Sequence, residues 1–461
     1  MKYVSTRGKA PDLNFEQAML TGLARDGGLY VPEKYPTLST EKIASFSTKS
    51  YEEVAFEIMK PFVGDTFTDN EFKKIIKLAY AGFSHRAKCP IVQLSENHFL
   101  LELFHGPTLA FKDVAMQLIG QMFEVALKRR GEKVTIVGAT SGDTGSAAME
   151  AFKGLDSVNL FIMYPHGRVS EVQRRQMTTP NESNVHALAV DGDFDTCQAL
   201  LKDMFNDFDF RDEVKLAGVN SINWARVLAQ VVYYFTSAVA IGAPNRKVSF
   251  TVPTGNFGDI FAGYVAKKMG LPIERLIIAT NQNDILHRTL KTGNHTKSGV
   301  KPSISPSMDI QVSSNFERLV FDLYKRDGAK VIELFDALKN DGSFTLSDEA
   351  IKLLNDEFDS GCCSDSETSD AIKKYFDNMG EVLCPHSAIG VNVAESQISQ
   401  IPMITLATAH PAKFPDAVAN ACGITPDLPS HMADLYERNE RMTRVSGDLK
   451  ALEAIIRKGI K

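Results

Sequence analysis

The sequence predicts an α/β protein with two open, mostly parallel α/β domains that share a cleft, preceded by a mostly helical N-terminal region. Apolar, β-branched runs recur from about residue 90 onward, and each is followed by a loop and an amphipathic segment. One long apolar helical stretch divides these runs into two sets. We therefore expect an N-terminal region over residues 1–85, a first α/β domain over residues 86–225 and a second over residues 226–461.

Composition limits the possible partners. The chain has 461 residues and 44% hydrophobic content, enough for two or three domains with sizeable cores. Lys and Arg number 51 against 57 Asp and Glu, a formal charge of -6, which argues against nucleic acid. The six cysteines are scattered, with no Cys-x-x-Cys and no histidine spacing suited to zinc, so we expect reduced thiols and no metal.

Neither the N-terminus nor any internal run predicts export or membrane insertion. Residues 1–8 lack the apolar segment of a secretory signal. The longest uncharged run, residues 227–243, spans about 17 residues and includes polar side chains, whereas a membrane span needs about 20 apolar residues. We expect a cytoplasmic protein with no membrane partner.

In chain order, residues 1–85 alternate short helical patterns with turns, and no series of strands is predicted there. A long buried helix is expected over residues 223–241, and residues 361–370 are polar and turn-rich, which predicts a surface loop before a helix. The expected buried strands are residues 134–137, 160–164, 185–190, 248–252, 276–279 and 403–407.

Lys112 is placed near the start of a predicted helix. Apolar residues with three-and-four spacing follow it, and Pro107 and Thr108 supply the start signal, with Thr108 as the expected N-cap. The positive end of the helix dipole and desolvation would both favour the neutral amine, which is a nucleophile toward carbonyl groups. The alternative is an exposed lysine beside a solvated Asp113.

Two glycine-rich loops, residues 139–148 and 253–260, each follow a strand and open a helix. Backbone N–H groups can converge on an anion in such a loop, although each could also be an ordinary tight turn. Neither loop has the Gly-Lys-Ser/Thr ending of a P-loop or the spacing Gly-x-Gly-x-x-Gly, which argues against nucleotide triphosphates and NAD.

Two further segments could bind ligand. Arg226 lies near the start of the long helix, where it could capture phosphate or carboxylate, or could form a structural ion pair. Thr408 follows a late strand, at the carboxyl end where ligands of open α/β sheets bind, or it could belong to an ordinary loop.

Taken together, a helix-borne lysine, two anion-binding loops and a hydroxyl at a strand end resemble the pyridoxal-phosphate (PLP) enzymes of the tryptophan-synthase-β fold type. The resemblance is closest to the threonine synthases and covers nearly the whole chain. The segments that resemble their motifs, in the same order, are residues 3–8, 26–30, 104–113, 140–145, 220–226, 255–259 and 408–414.

The resemblance implies a role for each motif. Lys112 would hold PLP as a Schiff base and later move protons, and Thr408 would hydrogen-bond to the pyridine nitrogen. Arg226 would bind the substrate phosphate. The cofactor phosphate would be held by Gly255, Asn256, Phe257, Gly258 and Asp259. The substrate carboxylate and the O3′ side of the cofactor would face Thr140, Ser141, Gly142, Asp143 and Thr144.

Asp143 departs from the wider fold type, in which many relatives carry an asparagine that donates to the ring oxygen. An ionised aspartate cannot donate. Asp143 is therefore expected to be protonated, to be placed differently or to orient neighbouring groups.

The implied reaction converts O-phospho-L-homoserine and water to L-threonine and phosphate, the last step of threonine biosynthesis, by γ-elimination followed by β-addition of water. The same fold also supports serine or threonine dehydratases and cysteine-synthase-like enzymes, and a non-catalytic paralogue is a third alternative. The assembly is left open between monomer and homodimer.

Overall fold

The computed structural model describes residues 1–460, and the α/β class predicted from the sequence is confirmed. The N-terminal region is mostly helical because capping boxes at Asn14, Ser50 and Thr68 begin three of its helices. Its elements are β1 (Tyr3–Ser5), α1 (Phe15–Thr21), β2 (Tyr30–Pro32), α2 (Thr40–Ala44), α3 (Tyr51–Val63) and α4 (Asp69–Tyr80).

The rest of the chain alternates strands and helices. Up to the long helix, the elements are β3 (Ile91–Ser95), β4 (His98–Glu102), α5 (Lys112–Arg130), β5 (Val134–Ala139), α6 (Asp143–Phe152), β6 (Val158–Pro165), α7 (Glu171–Thr178), β7 (Val185–Val190), α8 (Phe194–Asn206), α9 (Phe208–Glu213), β8 (Leu216–Ala217) and α10 (Trp224–Ala240).

Beyond α10, the elements are β9 (Val248–Pro253), α11 (Gly258–Lys268), β10 (Ile273–Thr280), α12 (Ile285–Thr292), β11 (Asn294–Thr296), α13 (Phe316–Leu323), α14 (Gly328–Asn340), β12 (Ser343–Thr345), α15 (Asp348–Glu357), β13 (Phe358–Cys362), α16 (Asp365–Met379), α17 (Pro385–Glu395), β14 (Met403–Ala407), α18 (Pro415–Cys422), β15 (Thr443–Val445) and α19 (Leu449–Gly459). Short 3-10 turns cover Ser45–Thr48, Pro306–Met308, Pro411–Lys413 and Ser430–Met432.

Two sheets organise these elements. One is parallel throughout, with strand order β15-β7-β6-β5-β8. The other has the order β13-β10-β9-β14-β4-β3 and is parallel except for its edge pair, β3 and β4. Two small antiparallel pairs, β1-β2 and β11-β12, complete the pairing.

All six predicted strands are present. At two places, however, a strand pairs in the sheet formed mainly by the other half of the chain. The β3–β4 hairpin precedes α5, yet β4 pairs with β14 in the six-stranded sheet. Near the other end of the chain, β15 pairs with β7 in the five-stranded sheet. The proposed bounds at residues 85 and 225 stay a prediction. The six-stranded sheet includes two strands from before residue 225, β3 and β4, and the five-stranded sheet includes one from after it, β15.

Two local predictions are wrong. Thr108 does not cap α5, because the helix begins at Lys112 and its preceding residue, Phe111, makes no capping hydrogen bond through its side chain. Residues 361–370 are not a single loop. Strand β13 continues to Cys362, and α16 begins at Asp365 because Ser364 and Glu367 form a capping box.

Helix α10 lies at the centre of the molecule. It packs against α3, α5 and α11, and nearly all of its residues are buried. Asn223 caps its first turn by accepting a hydrogen bond from the N–H of Ala225 at 3.0 Å. Within residues 1–460, no helix combines the length and the apolar character needed to cross a membrane.

Candidate active site

One cavity lies where the carboxyl ends of β5, β9 and β14 converge, beside the first turns of α5 and α10. Parallel α/β sheets bind ligands at this end of their strands. The cavity is lined by Phe111, Lys112, Asp143, Thr144, Ser221, Arg226, Gln230, Pro253, Thr254, Gly255, Asn256, Phe257, Gly258, Asp259, Ser307, Met308, His386 and Thr408.

The loop before α5 fixes the position of Lys112. Thr108 donates its backbone N–H and its hydroxyl to the Asp113 carboxylate, at 2.7 and 2.6 Å. Gly106 must lack a side chain because a Cβ there would overlap Asp113. The N–H of Phe111 donates to the carbonyl of Thr408 at 2.8 Å, which ties this loop to the end of β14.

The Lys112 amine is enclosed by protein. Its side chain is 12% exposed, and its Nζ lies 3.2 Å from Asp143 Oδ2 and 4.8 Å from the centre of the Phe111 ring. Burial lowers the pKa of Lys112, Asp143 raises it and Lys413 lowers it again, and the net direction is downward. Asp113 is fully buried rather than solvated. Burial therefore shifts the Lys112 amine toward its neutral form.

The loop over residues 255–259 presents unpaired backbone donors. Within residues 1–460, the N–H groups of Gly255 through Asp259 have no hydrogen-bond acceptor. Phe257 adopts a left-handed conformation with φ of 65° immediately before α11, a geometry that turns successive N–H groups toward one point. Together with the start of α11, the loop is suited to bind an anion.

The Asp259 side chain points away from this anion site. Its Oδ1 accepts hydrogen bonds from the hydroxyls of Tyr233 and Tyr234 on α10, whereas its Oδ2 is buried without a partner among the described residues. Burial raises the pKa of Asp259 to about 6, despite the opposing effect of the two hydroxyls. Only the backbone N–H of Asp259 is therefore suited to bind phosphate.

Arg226 is a buried cation without an anionic partner. Arg226 is 4% exposed, and its guanidinium makes one hydrogen bond within residues 1–460, donated to the carbonyl of Val219 at 3.2 Å. Burial lowers the pKa of Arg226 to about 10. A buried guanidinium is costly unless it is paired, so its place in the cavity wall favours an anionic ligand over a structural ion pair.

Thr408 and Asp143 also line the cavity, each at a different part of its wall. The N–H of Thr408 donates to Ser387 Oγ at 3.1 Å, and its hydroxyl has no partner among residues 1–460. Asp143 begins α6. Its Oδ1 accepts a hydrogen bond from Gln173 Nε2 at 2.9 Å and forms an ion pair with Lys413 Nζ, also at 2.9 Å. Burial raises the pKa of Asp143, but Lys413 and Lys112 lower it well below its usual range. Asp143 is therefore ionised, and it accepts hydrogen bonds rather than donating them.

Comparison with known proteins agrees with this geometry. Family models described as "Threonine synthase N terminus", "Pyridoxal-phosphate dependent enzyme" and "Threonine synthase, C-terminal" match residues 2–80, 85–338 and 387–456. The threonine synthase of Pseudomonas aeruginosa is 53% identical over 459 residues, which cover 99% of this chain and 98% of that protein.

Solved structures give the same result. A PLP-bound threonine synthase from Brucella melitensis matches with a TM-score of 0.98 and 56% identity, covering 100% of this chain and 99% of that one. The yeast threonine synthase matches with a TM-score of 0.94 and 41% identity, covering 100% and 98%. The chain belongs to the threonine synthase family. It is therefore a PLP-dependent enzyme.

The residues present in this threonine synthase family member fit PLP. The cofactor has an aldehyde, a phosphate and a pyridine nitrogen. The cavity offers a group for each of these. The Lys112 amine, whose pKa is lowered by burial, would meet the aldehyde, the unpaired N–H groups of residues 255–259 would meet the phosphate, and the unpartnered hydroxyl of Thr408 would meet the pyridine nitrogen.

Three residues predicted to face the substrate do not line the cavity, namely Thr140, Ser141 and Gly142. The Thr140 hydroxyl instead accepts the backbone N–H groups of Gly142 and Gly145, at 3.0 and 2.9 Å. This shapes the turn that places Asp143 and Thr144 at the wall.

Sequence reasoning missed several residues of this threonine synthase site. Gln230 lies one turn after Arg226 on α10, so helical spacing could have identified it. His386 follows Pro385 at the start of α17, a recognisable start signal, and burial lowers its pKa to about 4. Ser307 and Met308 belong to the 3-10 turn over Pro306–Met308, far from the other motifs in sequence, and had no such signal.

Proposed function

We propose that this chain converts O-phospho-L-homoserine and water to L-threonine and phosphate. The observation that carries the proposal is the position of Arg226, a buried guanidinium without an acidic partner, in the same cavity wall as Lys112 and the unpaired N–H groups of residues 255–259. Two separate anion sites suit a phosphorylated substrate beside a phosphorylated cofactor.

Each predicted site residue has a proposed role. Lys112 would hold PLP and, once its amine is free, would move protons between the reacting carbons. When bound, PLP supplies an electron sink for negative charge that develops on the substrate carbons. Thr408 would donate its hydroxyl hydrogen bond to the pyridine nitrogen without protonating it. The cofactor phosphate would be held by the backbone of Gly255, Asn256, Phe257, Gly258 and Asp259.

The substrate would lie between Arg226 and the first turn of α6. Arg226 would bind its phosphate and neutralise the charge of the leaving group. Thr144 and the first turn of α6 would face its carboxylate, and Thr140, Ser141 and Gly142 would act indirectly by shaping that turn. Asp143 would orient the Lys112 amine, since an ionised carboxylate is 3.2 Å from Nζ.

Three broader features stay part of the proposal. The chain would be divided into regions near residues 85 and 225, it would act in the cytoplasm, and it would be a monomer or a homodimer. Size-exclusion chromatography with light scattering would decide between the two assemblies.

The test is a comparison of substrates. The PLP-loaded protein should release phosphate and form threonine in equal amounts from O-phospho-L-homoserine, with little turnover of L-serine, L-threonine or O-acetyl-L-serine. A preparation from which PLP has been removed should release no phosphate. Efficient keto-acid formation from L-serine or L-threonine, without phosphate release from O-phospho-L-homoserine, would instead identify a dehydratase of the same fold.

A further inference from the structure

Lys413 is a buried lysine behind the cavity wall. None of the cofactor-binding or substrate-binding roles proposed above involves it. It lies in the 3-10 turn after β14, five residues beyond Thr408, and its side chain is 0% exposed. Its Nζ donates to the carbonyl of Thr108 at 2.8 Å and lies 2.9 Å from Asp143 Oδ1. It therefore joins the end of β14 to the loop before α5 and to the first residue of α6.

Asp143 is shared between two lysines. Lys413 binds its Oδ1 at 2.9 Å and Lys112 binds its Oδ2 at 3.2 Å. The amide of Gln173 donates to the same Oδ1 at 2.9 Å, which fixes the carboxylate plane. The arrangement leaves Oδ2 as the oxygen that faces Lys112.

An unpaired carboxylate beside Lys112 would tend to keep the lysine amine protonated. A nucleophilic amine must lose its proton, but a buried carboxylate at hydrogen-bond distance stabilises the ammonium ion. A cation on the far oxygen of that carboxylate opposes this effect while the hydrogen bond to Lys112 is kept. Lys413 is placed where such a cation is needed.

We propose that Lys413 is a positioning residue that neutralises Asp143, so that Asp143 orients the Lys112 amine without keeping it protonated. This inference rests on the proposed role of Lys112 and assigns a role to Lys413 beyond it. It also accounts for the aspartate where relatives of the wider fold type carry asparagine, since the Asp143–Lys413 pair is neutral overall, as an amide is.

Charged and titratable side chains on the neighbouring helices also interact with Lys112. Arg226 of α10 lowers the pKa of Lys112, and Lys112 in turn affects Asp259 of α11 and His386 of α17. On its own helix, Asp113 is turned toward Thr108. None of these side chains is replaced in the experiment below. Asp113 and His386 also interact with Lys413, and the double variant, which removes Lys413 and the Asp143 charge together, is compared with both single variants for this reason.

The experiment measures the protonation of Lys112 directly in the full chain after PLP has been removed. Trace acetylation with acetic anhydride across a series of pH values, read by peptide mass spectrometry, gives the pH midpoint of Lys112 reactivity. Lys413→Met should raise this midpoint by about one pH unit or more, because the carboxylate loses its second cation. Asp143→Asn should lower it. The double variant should return to within about half a pH unit of the original chain.

Controls separate this effect from general damage. Lys413→Arg keeps the charge and should keep the midpoint. Lys267→Met removes another partly buried lysine, which pairs with Glu357 at 2.6 Å away from the cavity, and should leave the midpoint unchanged. Near-ultraviolet circular dichroism and thermal melting identify variants that have not folded. If Lys413→Met fails to fold, the Asp143→Asn and double-variant midpoints still decide.

The outcomes test the role of Lys413 and the role of Lys112 separately. A folded Lys413→Met protein with an unchanged or lower midpoint overturns the role of Lys413, as does a double variant whose midpoint equals that of Asp143→Asn. Borohydride reduction of the PLP-loaded chain followed by peptide mapping tests the proposed function separately. PLP found on Lys413 instead of Lys112 would overturn the assignment of Lys112 itself.

Discussion

Asn315 donates two hydrogen bonds to the carbonyl oxygen of Asn256, one from its backbone N–H and one from its Nδ2, both at 3.1 Å. The neighbouring carbonyl, of Gly255, accepts from Ser313 Oγ at 2.7 Å. The carbonyl groups of the loop are thereby held outward, which leaves its N–H groups free to face the cavity. A segment with no glycine-rich signature thus shapes the proposed phosphate site.

Asn315→Ala should weaken PLP binding about 10-fold, the effect of losing about 1.4 kcal/mol of hydrogen bonding that orders the loop. The measurement is the PLP dissociation constant from fluorescence or absorbance titration. Ser313→Ala, which releases only the Gly255 carbonyl, should have a smaller effect. Unchanged PLP affinity in both variants would show that the loop keeps its shape without these two residues.

Lys112→Ala should abolish catalysis, with a loss of at least about 10²–10⁴-fold, because the proposed proton-transfer group and point of PLP attachment are both removed. The protein should stay folded, since alanine is the strongest helix former and the amine is not part of the core. Phosphate release and thermal melting measure the two effects, with Lys267→Ala as the matched control. Retained turnover would remove Lys112 from the site.

Much of the fold could be predicted, because the six main strands are apolar runs bounded by turns. Three of the missed strands, β3, β8 and β15, lack that signal for physical reasons. Strands β8 and β15 have two and three residues, and β3 carries an exposed glutamine, Gln93, at the sheet edge. Short edge strands depend on their neighbours rather than on their own composition.

The site could be predicted only in part. Lys112, Arg226 and Thr408 lie in motifs whose local pattern places them at helix starts or strand ends, and all three line the cavity. Lys413 lies in the same segment as Thr408, but nothing in that segment indicates an ion pair with Asp143, which lies 270 residues earlier in the chain. Pairing between distant segments is a property of the folded chain, and one sequence does not reveal it.

Arg226→Met should have opposite effects on substrate binding and on stability. The apparent affinity for O-phospho-L-homoserine should fall on the order of 10²-fold, because a buried charged partner of the phosphate is lost. The PLP dissociation constant should change only slightly. Without ligands, the variant should be more stable by about 1 kcal/mol or more, because an unpaired buried cation is replaced by an apolar side chain of similar length.

Substrate kinetics, PLP titration and urea denaturation of the PLP-free chain measure the three quantities. Arg275→Met is the matched control, since this arginine is partly exposed and pairs with Asp359 at 2.6 Å outside the cavity. Equal losses of substrate and PLP affinity in Arg226→Met, together with lower stability, would mean that Arg226 is structural.

Asp259 should make the stability of the PLP-free chain depend on pH. Its pKa is about 6 in the folded chain against an ordinary 3.8, so the folded state binds a proton between these values that the unfolded state does not. Its contribution therefore favours folding at low pH and is lost as the pH rises through about 6. Asp259→Asn should remove this dependence and be more stable than the original chain at pH 7.5, by up to about 3 kcal/mol.

Urea denaturation at pH 5, 6, 7 and 8 measures the difference between the two chains. The difference should be nearly constant at pH 7 and 8 and should shrink as the pH falls below about 6, because the original aspartate then becomes protonated and resembles the amide. A difference that is constant across this range would show that Asp259 has the same proton affinity in the folded and unfolded states.

Thr408 gives the most discriminating prediction, because the group at the pyridine nitrogen decides how much negative charge the cofactor ring accepts. A neutral hydroxyl leaves the nitrogen largely unprotonated, whereas an aspartate would keep it protonated and draw charge into the ring. The weaker electron sink suits a reaction in which the charge must pass onward to expel phosphate. Thr408→Asp should therefore slow threonine formation and increase keto-acid side products, whereas Thr408→Ser should retain the normal product.

The measurements are the ratio of threonine to keto acid and the absorbance of long-lived species after mixing with O-phospho-L-homoserine. Thermal melting is needed alongside them, because Thr408 is buried, its N–H is held by Ser387 and its carbonyl by Phe111, so a carboxylate must fit without disturbing the end of β14. Because the backbone contacts survive substitution, a folded Thr408→Asp protein isolates the effect of the side chain. If that protein keeps normal turnover, product ratio and spectrum, Thr408 does not contact the pyridine nitrogen, and its unpartnered hydroxyl must serve the substrate instead.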